Sequence, residues 1–84
     1  MNPSWNVEWD EPAWIALLAL PKDQRRQAIH AVYAFAAGRG LRPRRFEVDD
    51  GTQIYGIPTG QGWAFFDRED STRTIIVRFV SSTF

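Results

Sequence analysis

The sequence predicts a two-layer α+β domain: an N-terminal strand, a helical hairpin, then an antiparallel sheet of three to four strands. Three observations predict it. "WNVEW" near the start alternates large apolar with polar residues, the period of a half-buried strand. A long apolar-periodic stretch is broken once, by Leu20-Pro21, into two helices. Three strand-like runs then follow, separated by short turn signals.

Each element has its own warrant. Trp5, Val7 and Trp9 share one face of the first strand. Asp10 is the expected N-cap of a helix over 11–19, with Glu11 and Pro12 in its first turn, where a missing N–H costs nothing. Trp14, Leu17 and Leu18 form its apolar stripe, with Ile15 on the flank. Pro21 opens a second helix over 22–37, whose stripe is Ile29, Val32, Tyr33 and Ala36 and which ends at Gly38 and Gly40. So short a turn makes the pair an antiparallel hairpin. Residues 39–51 read as a loop, with Phe46 and Val48 as an alternative short edge strand. Strands are expected over 52–57, 62–68 and 73–80, joined as a meander. In the last, Ile75, Val77 and Phe79 line one face and Ile76, Arg78 and Val80 the other.

The 84 residues make a single domain over 1–84 with room for one core. Ten basic residues balance ten acidic ones, but unevenly. Residues 22–46 carry a local +6, and the segments on either side carry −3 each. No apolar run approaches the roughly 20 residues that span a bilayer, so no membrane role is expected. "MNPSWNVEWDEP" lacks the basic start and apolar stretch of a signal peptide, which predicts a cytoplasmic location. Without cysteine there is no thiol chemistry. With a single histidine as well, no metal site and no cofactor are expected.

The arginines are the strongest candidates for chemistry. Arg39, Arg42, Arg44 and Arg45 crowd one loop, with Arg25 and Arg26 on the helix before it. Guanidinium forks bind phosphate or carboxylate in pairs of hydrogen bonds. His30 sits mid-helix with no acid at a neighbouring helical position, which reads as a packed or surface histidine rather than a base. Asp49-Asp50 and the "DRED" turn read as solvated turn formers. The four tryptophans supply core area to a small domain, or else an aromatic platform for a partner.

Taken in order, "WNVEWDEPAWIALLALPKDQRRQAIHAVYAFA", a basic loop and "TQIYGIPTGQGWAFFDREDSTRTIIVRFV" resemble the RelE/ParE toxin superfamily over about residues 5–84. The resemblance implies a small toxin paired with an antitoxin-like protein. RelE-like members cleave messenger RNA on the ribosome; ParE-like members poison gyrase. The RNase members use basic side chains from the sheet, with a tyrosine or histidine near the C-terminus.

Carried over residue by residue, that machinery is thin. The family arginine of "YRLVY" falls at about Gly62–Ala64, and the basic residues of the preceding strand fall near Gln53 and Tyr55. The ending "RYHY" falls on Ser81, Ser82, Thr83 and Phe84, where only the last ring is kept. The resemblance therefore implies a retained fold with degenerate nuclease chemistry, and catalytic residues stay unassigned. Arg42, Arg44, Arg45 and Arg78 remain for phosphate or acidic contacts, with Tyr55 and Phe84 lining the groove. The alternative is a non-enzymatic binding module or homodimer that reuses the fold through its strand edge and tryptophans. A sequence-specific DNA binder is the weaker third reading, because the second helix is basic only at its start.

Overall fold

The computed structural model describes residues 4–39, 42–47 and 51–81. Its elements run β1 (Asn6–Trp9), α1 (Glu11–Ala19), α2 (Lys22–Ala36), β2 (Arg44–Glu47), β3 (Gln53–Pro58), β4 (Trp63–Glu69) and β5 (Thr74–Ser81). The sheet has five strands in the order β1-β5-β4-β3-β2. The alternative edge strand forms, at Arg44–Glu47, antiparallel to β3, and completes four antiparallel strands. The sheet departs from the expected antiparallel one in a single respect. β1 joins the opposite edge parallel to β5, with Asn6 opposite Thr74 and Trp9 opposite Val77. Parallel neighbours need a long connection between them, and here it is both helices and three strands.

The helices cover one face of the sheet, α1 over β5 and α2 across β1, β3 and β4. Ala13, Leu17 and Leu20, with Ala28, Val32 and Ala36, meet Ile57, Ala64, Phe66, Ile75, Val77 and Val80 in one core. Phe66 is its largest fully buried side chain.

Both helical stripes are rotated from their sequence expectation. On α1 the buried side is Ala13 and Leu17, while Trp14, Ile15 and Leu18 are about half or more exposed. On α2 it is Ala28, Val32 and Ala36, while Ile29 and Tyr33 lie outside. The alanines decide this, because small side chains let each helix lie close on the sheet. α1 is consequently apolar all round and leaves an unmet apolar surface to solvent.

The β5 alternation is also broken. Phe65 pairs with Phe79, but Phe66 pairs with Val77, so Arg78 is an extra residue in a bulge. Ile75 and Val77 face the core as expected. Beyond the bulge the faces exchange: Val80 is buried and Phe79 is half exposed. One extra residue inverts a period-2 pattern.

Candidate functional site: the uncovered sheet face and its arginines

The face of the sheet away from the helices has no layer over it among the described residues. Phe46 of β2 meets Trp63 and Phe65 of β4 edge-on, each at 5.4 Å between ring centres, and Trp63 and Phe65 stack at 6.4 Å. Phe79 lies opposite Phe65 and extends the patch. The approach of Phe46 depends on Gly56: a Cβ there would lie 2.8 Å from the Phe46 ring. Arg44 completes this cluster, its guanidinium carbon 5.7 Å from the Trp63 ring centre.

Arg78 sits at the bulge. Its Nη1 donates to Asp10 at 2.5 Å and its Nε to Asp67 at 2.7 Å. The hydrogen bond to Asp10, then that to Asp67, raise its pKa above the usual arginine range. Asp10 thus holds the expected N-cap position of α1, but its carboxylate makes no cap and binds Arg78 instead. The positive charge of Arg78 is offset by two carboxylates.

Arg45 points the other way, because successive strand residues alternate. Its guanidinium carbon lies 6.0 Å from the ring centre of Tyr55, on the helix side of the sheet. Tyr55 stacks on core Phe66 at 5.7 Å. The crowded arginines of the sequence are therefore divided between two faces, Arg44 with Trp63 on one and Arg45 with Tyr55 on the other. Arg42 is exposed just ahead of β2. Phe84 and Asp49-Asp50 lie outside the described residues.

A second arginine cluster escaped sequence analysis. Past the end of α2, Arg68 lies 5.0 Å from the ring centre of Trp5 and 5.6 Å from that of Tyr55. Arg73 lies 4.7 Å from Trp5. Period 2 places Arg68 on the Tyr55 face of β4, but only the pairing of the strands brings Trp5 to it.

His30 is exposed on α2, in a shallow hollow with Arg26, Tyr33 and Arg39. Among the described residues, no group of three or more His, Cys, Asp or Glu is placed to hold a metal ion. No helix among them is long and apolar enough to cross a membrane.

No protein-family model matches the chain, and comparison with curated proteins finds no match. Solved structures do match. A chain of the toxin–antitoxin complex RelBE2 from Mycobacterium tuberculosis shares 14% identity with a TM-score of 0.80, over 94% of this chain and 91% of that one. The archaeal RelE–RelB complex from Pyrococcus horikoshii OT3 gives 14% identity and a TM-score of 0.68, over 95% of this chain and 96% of the matched one. At such identity the likeness establishes the fold: two helices on a five-stranded mixed sheet of the RelE type.

Proposed function

We propose that this chain is the toxin-like component of a toxin–antitoxin pair. The end-to-end likeness to chains of two toxin–antitoxin complexes carries the reading. Fold alone does not fix function, so the site must be consistent with it. The outer face of α1 is consistent: Trp14, Ile15 and Leu18 offer a partner protein apolar surface that the chain itself does not bury.

The target is translation, through RNA, or gyrase. The uncovered sheet face is the contact surface in either case. Where the family resemblance expects a basic residue, near Gly62–Ala64, Trp63 stands with Arg44 beside its ring. A guanidinium there holds a phosphate or an acidic side chain. An RNA base meets aromatic rings by stacking.

The test is induced expression in a bacterium. Growth arrest that Arg44→Ala relieves supports the toxin reading. Cleavage of messenger RNA on programmed ribosomes or inhibition of gyrase supercoiling then separates the targets. Normal growth with neither effect overturns it in favour of the second reading, a non-enzymatic binding module. One observation favours that module: Arg78, the remaining arginine of the last strand, is already engaged by Asp10 and Asp67. A guanidinium so neutralised stabilises a phosphorane poorly.

A further inference from the structure

Arg45, Tyr55, Arg68, Trp5 and Arg73 form a row in which guanidiniums and rings alternate. The row crosses the helix side of the sheet, on the opposite face from Arg44 and Trp63. Successive centres lie 4.7 to 6.0 Å apart, and all three arginines are exposed. Ring contact engages the face of a guanidinium, whereas an anion pairs with its N–H edge. Arg68 shows the chemistry within the chain: its Nη2 donates to the Asp70 carboxylate at 3.2 Å.

A hollow of about 210 Å³ opens beside the row. Phe35 and Ile75 line it with Trp5, and Arg68 stands among them. It is an apolar recess next to cationic groups, with room for one leucine- or phenylalanine-sized side chain.

We propose that this row and its hollow form a docking site for an acidic peptide segment of a partner protein, anchored by one apolar side chain. Charge complementarity selects an anion. Two features select peptide over nucleic acid. Trp5 already meets two guanidiniums, and Tyr55 meets two guanidiniums and Phe66, so neither ring offers a clear face for base stacking. Three arginines beside Asp70 also make a short, partly neutralised row, whereas nucleic-acid affinity grows with the number of phosphates neutralised. The site does not depend on the toxin reading, because growth of the host tests that reading and direct binding tests this one.

The experiment is fluorescence anisotropy on the full chain at low salt. The probes are a labelled ten-residue glutamate peptide with one central leucine, the same peptide with glutamate throughout, and a labelled ten-nucleotide oligouridylate. The leucine-bearing peptide binds, and the all-glutamate peptide binds several-fold more weakly. Arg68→Glu weakens binding at least tenfold and Arg68→Lys several-fold, with thermal melts showing that each variant is folded. Arg45→Ala gives an independent several-fold loss should Arg68→Glu fail to fold. Arg26→Glu, the same charge change on α2, leaves binding within twofold. The proposal is overturned if the leucine-bearing peptide does not bind, if Arg26→Glu weakens it as much as Arg68→Glu, or if oligouridylate binds more tightly at this site.

Discussion

Arg78 joins Asp10, which follows β1, to Asp67 of β4, with hydrogen bonds of 2.5 and 2.7 Å. The three side chains link the start of the chain to its last hairpin from opposite sides of β5. Arg78 is the bulge residue, so the irregularity in the strand is what aims its fork at both carboxylates.

Arg78→Gln therefore leaves two carboxylates facing each other without a cation. The pairs are partly exposed, so the expected loss is about 1 kcal/mol of stability at low salt. It shrinks at 1 M salt through screening. Urea denaturation at two ionic strengths measures both. The sign of the pH dependence follows from the raised pKa. The contribution is fully present below the ordinary arginine range and is lost only as pH rises through the folded value. The Arg78 contribution is thus flat through neutral pH and disappears only at the strongly alkaline end.

Gly56→Ala tests the approach of Phe46 to the sheet. The new Cβ would lie 2.8 Å from the Phe46 ring and 3.2 Å from that of Phe65, so the aromatic cluster must shift. A cost of about 1–3 kcal/mol is expected, with altered near-ultraviolet circular dichroism from Trp63. Gly56→Ala with Phe46→Leu recovers part of the loss, because leucine lacks the atoms that clash.

Phe66→Ala removes the largest fully buried side chain from between Phe35 and Tyr55. The expected loss is about 3–5 kcal/mol. That is a large share of the stability of so small a domain. The melting temperature, followed by circular dichroism, should fall sharply.

The two sides of α1 should respond unequally to substitution. Leu17→Ala opens a cavity in the core and costs about 2–5 kcal/mol. Ile15→Lys or Leu18→Lys changes stability by no more than about 0.5 kcal/mol. Under the proposed function, those surface changes instead weaken association with the antitoxin-like partner of the pair, which co-expression and pull-down measure.

Much of the fold is legible in the residues. α1 spans the predicted 11–19, because Pro12 and Pro21 bound it in ways local sterics dictate. The three meander strands each fall within a residue of their expected bounds, because their turn chemistry is local. What the residues hide depends on partners distant in the chain. The bulge that exposes Phe79 and buries Val80 arises from the pairing of β4 with β5, and no single strand reveals it. The faces that α1 and α2 bury depend on how closely alanine lets them approach. Arg44 and Arg45 look like one patch until β2 forms and turns them apart. Trp5 reads as core area, and only the assembled sheet shows it held between Arg68 and Arg73.

The side-by-side placement of β1 and β5 has a consequence for how the molecule is made. β1 is synthesised before the other strands, yet its one neighbour among the described residues emerges some sixty-eight residues later, at Thr74. Until then α1 has no floor to rest on, since β5 is the strand it covers. Contacts so distant in the chain close slowly. A nascent chain halted before Thr74 can pair β2, β3 and β4 but cannot place β1 in the sheet, so that edge forms only after the final hairpin is in place.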